Sequence, residues 1–238
     1  MFIQACLNGS RRPDYHPRLP TTLQTIVRDA IEVVEAGAAE IHVHPRGPDG
    51  RESLAAVDET IAAVRSACPG TLIGVSTGAW IESDEKRTRQ AISAWETQPD
   101  HATVNLSEND APAIMELLAD KGIGIEAGLA SVEDAKRFVG LPLHNRVLRV
   151  LIELDNERQF DQAAVVCDGI LEVLRQASVS RPMLLHGFDA TVWPFVERAR
   201  QLRLSTRVGL EDGKYLPDGS GAGSNAEIVA AAVAIFKP

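Results

Sequence analysis

Short runs of β-branched and apolar residues alternate with longer stretches of helical periodicity from one end of the chain to the other. The runs of strand character are FIQACL (2–7), EIHVH (40–44), TLIGVS (71–76), HATVNL (101–106), GIGIE (122–126), RVLRVLIEL (146–154), PMLLH (182–186) and LSTRVGL (204–210). Eight strands are predicted. The stretches between them have recognisable helix starts: Ser53 before LAAVDETIAAVRSA, Ser83 before DEKRTRQAISAW, Asn109 before DAPAIMELLADKG, and Ser131, with Asp134 three residues on, before VEDAKRFVG. Small polar side chains at such positions accept the unpaired N–H groups of a first turn. A last helix, NAEIVAAAVAIF, closes the chain. Eight βα units of about 30 residues predict a (β/α)8 TIM barrel in a single domain spanning residues 1–238. An open doubly wound sheet ranks lower, because CLNGSRRPDYHP, and no GxGxxG, follows the first strand.

In a barrel of this kind the residues just past each strand meet at one mouth. Here they are Asn8, Gly9, Ser10 and Arg11 after the first strand, His42, His44 and Arg46 after the second, and Ser76, Thr77 and Gly78 after the third. The fourth supplies Asn105, Ser107 and Asn109. Strand five is expected to end at Glu126, six at Glu153 and Asp155, seven at His186, and eight at Arg207, Glu211 and Asp212. Nearly every strand delivers a polar group. Residues i and i+2 of a strand share a face, so His42 and His44 point the same way while Ile41 and Val43 pack against helices. Strand eight lies two strands from strand two in a closed barrel, about 10 Å away. A carboxylate from there can join two imidazoles around a tetrahedral zinc and leave the fourth position open for a substrate. Glu211 is the candidate. Glu40 has the same parity but sits roughly 6–7 Å deeper.

Composition removes several classes of partner. With 33 acidic against 24 Lys and Arg residues, the formal charge is −9, and no basic run could follow a phosphate backbone. No apolar run approaches the roughly 20 residues needed to cross a bilayer. MFIQACLNGSRRP has neither the basic start nor the long apolar centre of a signal peptide, which points to the cytoplasm. Cys6, Cys68 and Cys167 show no CxxC spacing and are expected to be reduced.

Strands two and eight, taken together, carry a family resemblance. GAAEIHVHPR, followed far downstream by TRVGLEDGKYLPDG and SNAEIV, resembles the β-keto acid cleavage enzymes of the 3-keto-5-aminohexanoate type. RVGLED is the most specific block; LNG, STG and VNLSEND after strands one, three and four support it. The resemblance implies a zinc-dependent barrel that condenses a β-keto acid with acetyl-CoA to give acetoacetate and a new acyl-CoA, in a homo-oligomer, a tetramer. It places the metal on His42, His44 and Glu211, the set chosen by strand geometry, and the base system on Arg207 and Asp212. Ser76, Thr77 and Gly78 match the segment that holds the substrate carboxylate, Asn105 and Ser107 the strand-four segment, and Glu126 an acidic residue of strand five. Arg11 departs from the family pattern, which has a glutamate there, and makes an amino-bearing substrate a poor expectation. The chemistry is coherent: zinc is an electron sink for a ketone, and Asp212, beside Arg207, is expected to take a proton from the methyl of acetyl-CoA.

Plainer readings stand beside these. Asp212 begins a segment rich in turn formers, and Arg207 can neutralise a buried acid. Glu153, Asp155 and His186 are read as structural or as neighbours of the site, while His16, His101 and His144 receive no role. GSGAGSNAE is either an ordinary loop or a cradle for a phosphate or CoA group at the start of the last helix. Two other functions are weighed: an amidohydrolase-like metal-dependent hydrolase, which would need histidines on strands five and six, and a barrel that binds a small acid without catalysis.

Overall fold

The computed structural model describes residues 1–154 and 159–237; Asp155 lies outside them. In chain order the elements are β1 (Ile3–Cys6), α1 (Leu23–Glu35), β2 (Glu40–Val43), α2 (Val57–Ala67), β3 (Leu72–Ser76), α3 (Ala79–Glu82), α4 (Glu85–Ala94), β4 (His101–Asn105) and α5 (Ala111–Asp120). They continue with β5 (Gly124–Leu129), α6 (Val132–Val139), β6 (Arg149–Leu154), α7 (Phe160–Gln176), β7 (Met183–Gly187), α8 (Val192–Leu202), β8 (Thr206–Val208) and α9 (Asn225–Phe236). All pairings are parallel, in the order β7-β6-β5-β4-β3-β2-β1-β8. The ends meet where Ser205 bridges Leu184 and its backbone exchanges hydrogen bonds of 3.0 and 3.2 Å with Leu185 and Met183. This is the (β/α)8 barrel.

Period-two alternation divides each strand. Ile41, Val43, Ile73, Val75, Ala102, Val104, Ile125 and Ala127 are buried and belong to one apolar core with helix residues such as Ile26, Val33, Ile61 and Met115. The alternate residues face the barrel axis, as their contacts across the barrel show: Gln4 of β1 reaches His101 of β4, and Arg149 of β6 reaches Glu40 of β2. Axis-facing residues therefore stack in layers, as the parallel register requires. Side-chain contacts group Gln4, Glu40, His101, Glu126 and Arg149 in a lower layer; His42, Ser76, Thr103, Glu153 and, from the turn after β8, Glu211 line the mouth above it, with His186 against Glu153.

Element ends differ from expectation for local reasons. β5 continues past Glu126 to Leu129, because the small Ala127 and Gly128 keep pairing with β4, and Glu126 therefore lies inside the barrel instead of at its mouth. β8 is short: Gly209 passes so close to β1 that a Cβ there would stand 1.8 Å from the Cys6 carbonyl oxygen, and the chain turns away from the sheet. Helix α4 is capped by Asp84, whose carboxylate accepts from the Arg87 N–H at 2.7 Å, while Ser83 is left-handed (φ 53°) and ends α3. Asp110, not Asn109, precedes α5 and pairs with Arg89 at 2.5 Å. Ser131 caps α6 as expected. Among the described residues no helix is long and apolar enough to cross a membrane.

Candidate metal centre and active site

β2 ends by aiming two imidazoles at the mouth. Their rings stand 5.2 Å apart, edge to face. Asn8, just past β1, fixes the backbone of His44: its Oδ1 accepts from the His44 N–H at 2.9 Å and its Nδ2 donates to the His44 carbonyl at 2.9 Å. From the turn after β8, Glu211 comes over β1 towards them. Its path requires Gly9, which has φ +54° and where a Cβ would lie 2.4 Å from Glu211 Cγ. His42, His44 and Glu211 each offer a ligand atom, and these atoms lie within 4.8 Å of one another.

The donor set fits a divalent metal. His44 Nδ1 is held by Glu52 Oε2 at 2.7 Å, which leaves Nε2 facing Glu211 Oε1 at 3.5 Å. A carboxylate on the far nitrogen of a ligating histidine is the usual device for fixing its ring and raising its basicity. Glu211 Oε2 is buried without a hydrogen-bond partner among the described residues. Burial lowers the His42 pKa well below the usual histidine value and keeps that ring neutral, as a ligand must be. Burial acts on His44 the same way, but the Glu211 and Glu52 carboxylates outweigh it and raise that pKa to about 9. Burial opposes ionisation of Glu211, yet Arg207 and the two histidines hold its pKa well below the carboxylate range.

Behind this triad Arg207 is buried and gathers acids. Its Nη2 lies 2.7 Å from Glu211 Oε1, 3.4 Å from Glu153 Oε2 and 3.9 Å from Asp212 Oδ1. His186 sits between two of the same acids, with Nε2 3.2 Å from Glu153 Oε2 and Nδ1 3.3 Å from Asp212 Oδ1, the latter contact falling short of hydrogen-bond geometry. Burial raises the Asp212 pKa against the opposing pull of His186 and Arg207. For Glu153 the balance is reversed: burial is outweighed by the His186 hydrogen bond and by Arg207, and the pKa falls.

A cavity of about 320 Å³ opens over these groups. Of the residues expected at the site, Arg11, His42, His44, Ser76, Asn105, Arg207 and Glu211 line it. The others stand elsewhere. Ser107 is exposed beyond β4, outside the lining. Thr77 is buried with its hydroxyl donating to the Thr103 carbonyl at 2.8 Å, and Gly78 lies under the Trp80 ring at the start of α3. Glu126 is spent in the lower layer, paired with Arg149 and accepting from the Thr103 hydroxyl at 2.7 Å. Burial opposes its ionisation, but Arg149 and His101 drive its pKa down. Asp212, expected to act directly on substrate, is 0% exposed and is not part of the cavity wall. Arg11 is not a free charge: its Nη2 pairs with Asp189 Oδ1 at 2.9 Å, its Nε donates to the Glu211 carbonyl at 2.9 Å, and it stacks on Tyr15.

Residues not singled out from sequence also belong here. Glu52 orients His44, and Trp80 stacks beside the same ring while its Nε1 donates to Glu52 Oε2 at 3.1 Å. Glu52 lies in a loop and Trp80 in the single turn of α3, where strand parity is silent. Thr103, two residues before Asn105 on β4, had the parity signal that could have found it. In the last loop Ser224 caps α9, and Asn225 is turned inward, its Oδ1 accepting from the Leu210 N–H at 2.6 Å and its Nδ2 donating to Leu7 and Asp29.

Fold and site together define a barrel enzyme with a metal-capable triad and a guanidinium–carboxylate cluster at one mouth. The chain belongs to the beta-keto acid cleavage enzyme family, which it matches over residues 1–140 and 162–238. It is 25% identical over 262 residues to the 3-keto-5-aminohexanoate cleavage enzyme of Fusobacterium nucleatum, covering 100% of this chain and 91% of that protein. The enzyme of the same name from Acetoanaerobium sticklandii is 34% identical over 91 residues, 37% of this chain and 33% of that protein. Among solved structures, the binary complex of ObcA with oxaloacetate superposes with a TM-score of 0.73 at 17% identity, over 90% of this chain and 62% of that one. This chain thus spans less than two thirds of ObcA. A type I 3-dehydroquinate dehydratase from Clostridium difficile gives a TM-score of 0.67 at 11% identity, over 99% of this chain and 92% of that one. At those identities the likeness is one of fold.

Proposed function

We propose that the protein is a zinc-dependent enzyme that condenses a β-keto acid with acetyl-CoA to give acetoacetate and a new acyl-CoA. The observation that carries this reading is the convergence of His42, His44 and Glu211 within 4.8 Å at a cavity that Arg207 also lines, in a chain of this family. Two imidazoles and a carboxylate are a usual zinc set, and a zinc held by them supplies a Lewis acid for a ketone oxygen. Ser76 and Asn105 present polar side chains to the same cavity for the substrate carboxylate.

Atom balance decides where the proton is removed. Acetoacetate made in this reaction takes its acetyl carbons from acetyl-CoA and its CH2–COO⁻ from the β-keto acid. The nucleophile is therefore C2 of the keto acid, flanked by ketone and carboxylate, and not the acetyl-CoA methyl expected from sequence. A carboxylate of the Arg207 cluster takes that proton, and the Arg207 guanidinium stabilises the charge that develops. C2 attacks the thioester carbon, CoA thiolate is released and adds to the former ketone carbon, and the C2–C3 bond breaks to give acetoacetate and acyl-CoA. Cys6, Cys68 and Cys167 are buried and unpaired, which suits a reducing cytoplasmic setting, and a homotetramer is the assembly proposed with this reading. The test is a panel of β-keto acids of differing length and charge with acetyl-CoA, scored for acetoacetate. Acetoacetate formed with at least one member, and lost on chelation, is expected; none from any member would reject the reaction.

A further inference from the structure

The turn after β8 carries Glu211 of the metal-capable triad and Asp212 of the Arg207 cluster, and two other loops hold it from outside. β8 ends at Val208, so the carbonyls of Glu211 and Asp212 lie beyond the sheet and take their partners elsewhere. Arg11, in the loop after β1, donates from Nε to the Glu211 carbonyl at 2.9 Å and from Nη2 to the Asp212 carbonyl at 3.3 Å. Asp189, in the short 3-10 turn after β7, donates its N–H to the same Asp212 carbonyl at 2.7 Å, and its Oδ1 accepts from Arg11 Nη2 at 2.9 Å. We propose that Arg11 and Asp189 form a strap that holds the Glu211–Asp212 turn in place against His42 and His44, as positioning residues for the metal and the base. The proposal rests on the metal site and the reaction proposed above.

The strap is anchored on the histidine side as well. Arg46, two residues after His44, donates from Nη2 to the Gly9 carbonyl and, at 3.4 Å, to the Arg11 carbonyl. The loop that carries Arg11 is thereby fastened to the end of β2, and Arg11 fastens the turn that carries Glu211. Two arginines in series thus join the two halves of the triad. A guanidinium suits this place: its planar fork bonds two carbonyls and a carboxylate in one fixed geometry, which an ammonium on a flexible stem does not. Tyr15 packs against it, with Arg11 Cζ 4.4 Å from the ring centroid, and the Tyr15 hydroxyl reaches Asp189 Oδ1 at 3.5 Å.

Asp189 has left-handed backbone, φ 48°, which a residue other than glycine holds only where its surroundings fix it. Here its N–H meets Asp212 while its carboxylate meets Arg11. As an ion pair alone the contact would contribute little, because the Asp189 side chain is 66% exposed. Its importance lies in where the bonds end. Three donors from two loops converge on the carbonyls of two successive residues, and the side chains of both residues belong to the site. Supporting bonds of this kind are what keep a site at its working geometry.

The test has three readouts: hydrogen–deuterium exchange of the 209–213 segment in the metal-free protein, the zinc dissociation constant by competition with a chelator, and kcat and KM in the acetoacetate assay. Arg11→Gln is expected to speed exchange of that segment while β5 keeps its wild-type protection. It should also weaken zinc binding and lower kcat together by about 3- to 10-fold, the worth of about one net hydrogen bond, with KM changed less than kcat for neutral and amino-substituted keto acids alike. Asp189→Gly, which keeps the N–H and suits the left-handed backbone, should act in the same direction. Combined with Arg11→Gln it should lose less than the product of the two single losses, because both act through one strap. Arg11→Lys, and Asp189→Asn, which keeps Oδ1, should recover part of the loss. Wild-type zinc affinity and kcat in Arg11→Gln, with or without faster exchange, would overturn the proposal, as would a change confined to the KM of one class of keto acid, which would make Arg11 a substrate contact. Wild type that binds no zinc and makes no acetoacetate would reject the reaction instead, and exchange of the 209–213 segment would still decide whether Arg11 and Asp189 hold the turn.

Discussion

Two layers of charge lie one above the other inside the barrel, and they are built differently. In the lower one Arg149 engages Glu126 through Nε and Glu40 at 2.6 Å and His101 at 2.9 Å through Nη2, with Gln4 closing the ring. Both acids meet the same guanidinium, and none of these five residues lines the cavity at the mouth. In the upper layer Glu52, Glu153, Glu211 and Asp212 converge, and Arg207 touches three of them. Buried polar atoms without hydrogen-bond partners among the described residues occur in both layers: Gln4 Oε1 and His101 Nδ1 below, and Glu211 Oε2, both Asp212 oxygens, His42 Nδ1 and two Arg207 nitrogens above. The upper set alone includes carboxylate oxygens, and it stands beside the cavity, which marks a place for a ligand. The lower layer fills the barrel; the upper one could hold a metal.

The largest effect that separates the layers is on stability. Arg149→Met strips the cation from two buried carboxylates, and breaking a buried pair by removing one partner costs about 3–5 kcal/mol. Denaturant unfolding should show that loss. Glu211→Ala should move the metal-free unfolding midpoint far less, since it removes a crowded acid. Equal losses in the two variants would erase the distinction.

Next comes Asp212→Asn, which should retain metal and fold while lowering acetoacetate formation by about 10²- to 10⁴-fold; wild-type turnover in the folded variant would remove Asp212 from the base system. A more modest effect concerns a third buried acid, outside both layers. Burial raises the Asp29 carboxyl, hydrogen-bonded to Asn225, from 3.8 to about 7. The folded protein then binds a proton that the unfolded chain has lost, so this site's contribution is fullest below 3.8 and is lost as pH rises through about 7. Thermal melts should show a fall in stability across that window that Asp29→Asn flattens; an unchanged slope would refute the shift. Smallest of all is Arg11. Its charge is already met by exposed Asp189, a pair worth about 0–1 kcal/mol. Arg11→Gln should shift the preference between a neutral and an amino-substituted β-keto acid by less than tenfold. Wild type should still prefer the neutral one.

Much of this was legible before the structure, for physical reasons that also mark where reading stopped. Eight strand-like runs follow from period-two and apolar patterning, and the parallel barrel follows from the helices between them. His42 and His44 were legible because i and i+2 share a face; Glu211 was legible because a closed barrel sets strand eight two strands from strand two. Glu126 was misplaced because the strand runs on through Ala127 and Gly128, residues too small to read as strand. Asp212 was read as facing substrate, but a side chain's direction in a turn is set by tertiary packing, here against Arg207 and His186. Glu52 reaches the site from a loop and Trp80 from the one-turn helix α3, and no periodicity in the sequence describes the course of either. Ser107 carried a family match that the turn after β4 sends to the surface.

A metal held by the upper layer would be seen in metal analysis of the purified protein. Wild type purified without chelator should carry about one zinc per chain. His42→Ala and Glu211→Ala should lose it while keeping the far-UV circular dichroism of the fold, and Arg149→Met, below its melting temperature, should keep it. Full zinc occupancy in both His42→Ala and Glu211→Ala would contradict a metal site at this triad.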